Sequence, residues 1–297
     1  MDPAPQKLII DTDIGDDYDD IFTLAVALAC PEVELLGLTT VVGDVGLRAR
    51  LCKRFLELAG RADIPVAIGL PTPTKAPFTH RRWAEAGPPL TGDEPAAVDF
   101  LLAQIAAHPD EITLLAIGPL SNLAAAFARD PATFRKLRRI VLMGGSVRRG
   151  YYDLPSLAPR KPSVEYNIAT DIPAAQAVFG CGVPLAVLPL DATMVTLDEL
   201  RRSAIFTRST PVTDALALTY LQWAALSGRS TPILFDTVAL AYAIEPSVCT
   251  CDWVRISVDD AGMTTIDEDG EPNADVCLDR DEDRLFRFVM PRLMGRA

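Results

Sequence analysis

Six apolar runs bounded by Gly, Pro or Asp punctuate the chain: KLIID, VELLGLTTVVG, PVAIG, ITLLAIG, IVLMGG and PLAVLPLD. Their apolarity is continuous rather than alternating, which suits strands covered on both faces. Between them lie segments with helical spacing, at 19–29, 47–59, 96–107, 122–128, 173–179 and 213–226. Strand followed by helix, repeated, predicts an α/β, Rossmann-like architecture: a mostly parallel central sheet with helices on both faces. No repeat, low-complexity tract or long linker divides the chain, so residues 1–297 are expected to form a single domain. The segments 71–95, rich in Pro and Gly, and 148–163 read as long loops over a site.

Composition narrows the function classes. With 297 residues, 49% of them hydrophobic, the chain can bury a large core. Its net charge of −12, with Lys and Arg scattered, repels nucleic acid and anionic membranes, so neither is expected as a partner and a small molecule is. MDPAPQKLIID lacks the basic and apolar regions of a secretory signal, and no run is long enough to span a bilayer, which predicts a soluble cytoplasmic protein. Cys249 and Cys251 lack the CxxC spacing of a zinc site, so all six cysteines read as buried free thiols.

The chemistry concentrates just after the first apolar run. DTDIGDDYDD places Asp11, Asp13, Asp16, Asp17, Asp19 and Asp20 within ten residues at a strand-to-helix turn, where they repel one another. Capping of a helix N-terminus accounts for one or two, with Asp16 and Asp17 the best placed. It does not account for Asp11 and Asp13 at the end of a buried strand, where an unpaired charge is costly and no Lys or Arg lies close in sequence. A bound hard cation resolves the repulsion, and oxygen-only ligands in a flexible loop favour Ca²⁺ over Mg²⁺.

These residues, and a series of motifs in fixed order behind them, resemble the inosine-uridine-preferring nucleoside hydrolase family. Its opening signature DTDPGxDDxxA is matched by DTDIGDDYDD if Asp19 and Asp20 stand for the final pair, with Asp16 and Asp17 as an insertion. TTVVGDV, AIGPLSNLA, VLMGGS, VEYNIATDIPAA and LFDTVALAYAIEP follow in the family's order.

The resemblance implies an enzyme of nucleoside metabolism and purine or pyrimidine salvage, which cuts the N-glycosidic bond of ribonucleosides with water. It implies that Asp13, Asp20, Asp236 and the backbone carbonyl of Ile117 hold Ca²⁺, braced by Asp11, and that Asp19 is the general base for a water held by the ion. The ribose would sit against Asp44, Met143, Glu165 and Asn167. It also implies a homodimer or homotetramer.

The chain departs from the family at three places. Phe235 stands where many members carry the His that protonates the leaving base; His80 and Trp83 in the long loop, or Tyr220 and Trp223 on a late helix, are candidates to contact the base alongside Phe235. Asp44 replaces a common Asn, and no Asn occurs a few residues before Glu165. Two other functions fit parts of the pattern: a metal-stabilised ribosyl-binding protein without turnover, and a Mg²⁺-dependent phosphatase of the haloacid dehalogenase type, for which a strand followed by DxD is also a signature.

Overall fold

The structure, a computed structural model, describes residues 4–152 and 160–295. Nine strands form one sheet: β1 (Gln6–Thr12), β2 (Val33–Thr40), β3 (Val66–Ile68), β4 (Ile112–Ala116), β5 (Arg139–Met143), β6 (Leu185–Leu188), β7 (Cys249–Val258), β8 (Thr264–Asp267) and β9 (Ala274–Arg280). Their spatial order is β3-β2-β1-β4-β5-β6-β9-β7-β8. From β3 through β6 to β9 every pairing is parallel, while β7 runs antiparallel to β9 and to β8.

The continuous apolarity of the first strands has the expected cause. Successive side chains point to opposite faces, so Leu8 and Ile10 enter one core layer while Ile9 enters the other. In β5, Val141 and Met143 join the first layer, and Ile140 and Leu142 the second. Each such buried aliphatic side chain contributes roughly 1.5–3 kcal/mol, and none of these strands has a solvent face to carry polar residues.

The six anticipated helices are present as Asp19–Leu28, Val45–Leu58, Ala97–Ala107, Ser121–Arg129, Ile172–Phe179 and Pro211–Ser227. The segment 71–95 carries a short helix, Arg81–Glu85, within its loop. The segment 148–163 lies partly outside the described residues. Among the described residues no helix is long and apolar enough to cross a membrane.

Cysteine pairing departs from the expectation. Cys251 and Cys277 form a disulfide, whereas Cys30, Cys52 and Cys181 are buried free thiols and Cys249 is a half-buried one. The pair sits at one register position of the antiparallel strands β7 and β9. Strand register brings these residues together, and residue spacing alone does not display it.

Chain order reverses between β1 and β4: β2 and β3 lie on one side, β4 to β6 on the other. In doubly wound sheets this switch opens a crevice beyond the carboxyl ends of the strands. Asp11 lies at the end of β1 and Asp13 just beyond it, and Ile117 directly follows β4.

Candidate active site

A cavity of about 470 Å³ opens at that crevice. Five aspartates of the opening loop, Asp13, Asp16, Asp17, Asp19 and Asp20, line it together with Asp236. Ile117, Met143, Glu165, Asn167, Trp223 and Phe235 also line it.

The loop is held in shape by its neighbours. Gly15 has φ +125°, and a Cβ there would lie 2.4 Å from the Phe78 ring, so only glycine fits this turn. Thr12 Oγ1 donates to Asp20 Oδ1 and accepts from the Ile14 amide at 3.0 Å. Arg48, 1% exposed, lies beneath: its guanidinium donates to the carbonyls of Val42, Asp13 and Ile14 and to both oxygens of Asp16, at 3.0 and 2.8 Å. Asp16 therefore pairs with Arg48 rather than capping a helix. Asp17 accepts from the adjacent Tyr18 amide at 2.7 Å, and the helix Asp19–Leu28 begins with no side-chain cap. Asp16 thus has its own cationic partner, distant in sequence.

Asp19 and Asp20 open the helix Asp19–Leu28, and Asp236 opens the helix Phe235–Ile244. The two helices are joined by Thr23 Oγ1 and Thr237 Oγ1, 2.8 Å apart. The Asp236 amide points at Asp19 Oδ2, 3.4 Å away. Asp19, Asp20 and Asp236 each offer an oxygen within 4.8 Å of the others, and all three are buried. Asp11 braces the floor: its Oδ1 accepts from Thr39 Oγ1 and from Asn122 Nδ2 at 2.7 Å, while its buried Oδ2 has no partner.

The electrostatics of this arrangement bears on what it can hold. Burial raises the carboxyls of Asp19, Asp20 and Asp236 well above the ordinary carboxylate range, and repulsion from neighbouring aspartates adds to it: Asp17 and Asp13 on Asp19, Asp13 and Asp19 on Asp20, and Asp19, Asp20 and Asp13 on Asp236. Burial also lifts Asp13 to about 7, against the pull of Arg48, and Asp11 to about 6, against its two hydrogen bonds. An all-oxygen set of crowded, desolvated carboxylates with an unpartnered oxygen beneath it fits a hard divalent cation, which would remove the repulsion. A carboxyl whose folded pKa is raised binds its proton more tightly folded than unfolded. The metal-free fold therefore loses stability as pH rises from the ordinary value of 3.8 through about 7. Denaturant titrations of chelator-treated protein are expected to give lower stability at pH 8 than at pH 5, and added Ca²⁺ to abolish that slope; a flat metal-free profile would remove the raised carboxyls from the account.

The opposite wall is polar at fixed points. Glu165, buried, accepts from the amides of Asn167 (2.9 Å), Gly145 (3.1 Å) and Ile168 (3.2 Å) and from the Tyr151 hydroxyl (3.2 Å). Asn167 Nδ2 donates to the Met143 carbonyl at 3.1 Å and the Ile117 carbonyl at 3.4 Å, tying the ends of β5 and β4 together. Both residues line the cavity and also hold its wall in place.

Other expected residues lie elsewhere. Asp44 is exposed and caps the helix Val45–Leu58, accepting from the Leu47 amide at 3.0 Å; it does not line the cavity, because helix capping satisfies its carboxylate there. His80 is fully buried behind the opening loop, its amide bonded to the Gly15 carbonyl at 3.1 Å, and burial lowers its pKa to about 3. Trp83 is buried under the guanidinium of Arg54, 4.3 Å from its ring centroid. Tyr220 meets the Tyr18 ring edge-on, packs at a tilt against Trp223 and donates to the Ser230 carbonyl, outside the lining. Of the proposed base contacts, the structure brings only Trp223 and Phe235 to the cavity.

Tyr151, Tyr166 and Arg229 also line the cavity and were not anticipated. Tyr151 and Tyr166 flank the polar wall that the VEYN motif signals. Arg229 follows the left-handed Gly228 that ends the helix Pro211–Ser227, a position with no sequence signal beyond that stop.

Fold and cavity place the chain among α/β enzymes with a buried acidic centre at the sheet's switch point. The family model described as inosine-uridine preferring nucleoside hydrolase matches residues 8–287, and the chain belongs to this family. A non-specific ribonucleoside hydrolase, RihC, from Salmonella agona (strain SL483) is 30% identical over 310 residues, 96% of this chain and 97% of that protein. Uridine nucleosidase 1 of Arabidopsis thaliana is 36% identical over 201 residues, 63% of this chain and 57% of that protein. Among solved structures, a plant nucleoside hydrolase superposes with a TM-score of 0.83 at 28% identity, covering 98% and 99% of the two chains. The chain is thus a hydrolase of N-glycosyl bonds acting on small nucleosides, which sets aside the phosphatase reading.

Proposed function

We propose that the protein is a Ca²⁺-dependent ribonucleoside hydrolase that releases ribose and a free base. The observation that carries this reading is the convergence of Asp19, Asp20 and Asp236 within 4.8 Å, opposite a wall formed by Glu165, Asn167 and Met143. A cation held there would supply positive charge that acidifies a nearby water.

Asp20, Asp236, Asp13 and the Ile117 carbonyl would be its ligands, with Asp11 bracing them. Asp19 would take the proton from the attacking water, as a carboxylate ionised by the neighbouring cation can. Glu165 and Asn167 would orient the 5′-hydroxyl side of the sugar, with Met143 packing beneath it. A second assignment is favoured by the spacing itself, which groups Asp19 rather than Asp13 with Asp20 and Asp236: Asp19 is then a ligand and Asp13, on the same cavity, the proton acceptor.

The reading further includes a cytoplasmic location, assembly as a homodimer or homotetramer, and residues 1–297 acting as one hydrolytic unit. Its direct test is incubation with a panel of purine and pyrimidine ribonucleosides. Ribose release is expected with Ca²⁺ and none after chelation. Turnover that survives exhaustive chelation would remove the metal from the reaction, and silence on the whole panel would overturn the activity.

A further inference from the structure

The wall facing the sugar's leaving group poses a chemical problem. When water adds its oxygen to C1′, the C1′–N bond breaks and the base departs with the electron pair, so negative charge grows on its ring. Neither histidine lines the cavity: His80 is sealed behind the opening loop, and His108 caps the far end of the helix Ala97–Ala107. Phe235, whose ring meets that of Tyr151 edge-on at 6.3 Å, has no proton to give. The hydroxyls of Tyr151 and Tyr166 are engaged, the first with Glu165 at 3.2 Å and the second with Thr74 at 2.8 Å.

Among the described residues, Arg229 is the only basic side chain lining the cavity, against seven carboxylates: Asp13, Asp16, Asp17, Asp19, Asp20, Glu165 and Asp236. Its guanidinium carbon lies 4.8 Å from the centroid of the Tyr152 ring. Arg229 is exposed, lines the cavity with the buried Trp223 and the exposed Leu226, and its charge pulls the Asp17 carboxyl down against burial. A guanidinium keeps its charge across the working pH of proteins and offers planar donors but no transferable proton.

We propose that Arg229 is a catalytic residue for the departing base: it hydrogen-bonds the base and stabilises it electrostatically as an anion, which solvent protonates after release. The substrates this suits are nucleosides whose base presents ring nitrogen or carbonyl acceptors and leaves as a stabilised anion. The inference rests on the hydrolase reading above, and the test separates the two.

Wild type, Arg229→Gln and Arg229→Lys are compared on inosine, on uridine and on 4-nitrophenyl β-ribofuranoside, whose nitrophenolate leaves as a stable anion unaided. Loss of a donor aimed at developing charge costs on the order of 10²-fold. Arg229→Gln is expected to lose about that factor in kcat/KM on the nucleosides, to lose far less on the aryl riboside, and to be partly rescued by Lys. Calcium affinity and thermal unfolding are measured alongside and are expected to be unchanged. An equal loss on both substrate types, or no loss on the nucleosides, overturns the role of Arg229 while leaving the hydrolase reading intact. Wild-type silence on nucleosides and aryl riboside alike overturns both.

Discussion

Asp19→Ala is expected to lower kcat by a factor on the order of 10²–10⁴ while Ca²⁺ still binds, whereas Asp236→Ala is expected to lose the ion itself. Both side chains are buried and face each other across two helices, so truncating either opens a similar space. What separates them is chemistry. A proton acceptor can be removed without disturbing the remaining ligands, but Asp236 is the sole member of the trio that does not come from the opening loop. Calorimetric titration of each variant with Ca²⁺, paired with ribose release, reads the two effects independently. If Asp19→Ala loses calcium while Asp13→Asn keeps it and is inactive, the roles of Asp13 and Asp19 exchange. If Asp236→Ala binds calcium as wild type does, the ligand set is wrong.

Arg48→Met is expected to cost about 3–5 kcal/mol of folding stability, as removal of one partner of a buried ion pair does. The lost guanidinium leaves Asp16 without its counter-ion and the carbonyls of Val42, Asp13 and Ile14 without a donor. All of these groups belong to or support the turn that presents the acidic residues, so calcium affinity should fall together with stability. Adding Asp16→Leu to Arg48→Met removes the stranded carboxylate and should recover part of the loss. Denaturant midpoints in saturating calcium check this, and additive costs for the two substitutions would contradict the pairing.

The sheet's parallel portion was legible because strands buried on both faces write themselves as unbroken apolar runs. The C-terminal meander was not. CTCDWVRISV alternates toward solvent along most of β7, and Trp253 is exposed, so no run stands out. Within the site, the acidic residues were legible because so many carboxylates in one turn demand an explanation. The ion pair of Asp16 with Arg48 was hidden, since Arg48 sits inside an amphipathic helical pattern where arginine ordinarily faces water. His80 and Trp83 misled for the opposite reason: a Pro-rich segment reads as an exposed loop, yet this one folds a short helix inward and buries both rings. Asp44 shows the limit of motif transfer, because one carboxylate can serve a helix N-terminus as readily as a sugar.

The hydroxyl pair Thr23–Thr237 spans 214 positions of the chain. During synthesis the opening carboxylates emerge early, but their partner helix leaves the ribosome only after most of the polypeptide has been made. Until then the nascent acidic turn has no completed cage, and under the proposed reading ion capture would be a late event that seals the tertiary structure rather than one that seeds it. Truncations ending before the helix Phe235–Ile244 should therefore show no calcium-dependent protection of the amino-terminal strands from proteolysis, however well those strands pair.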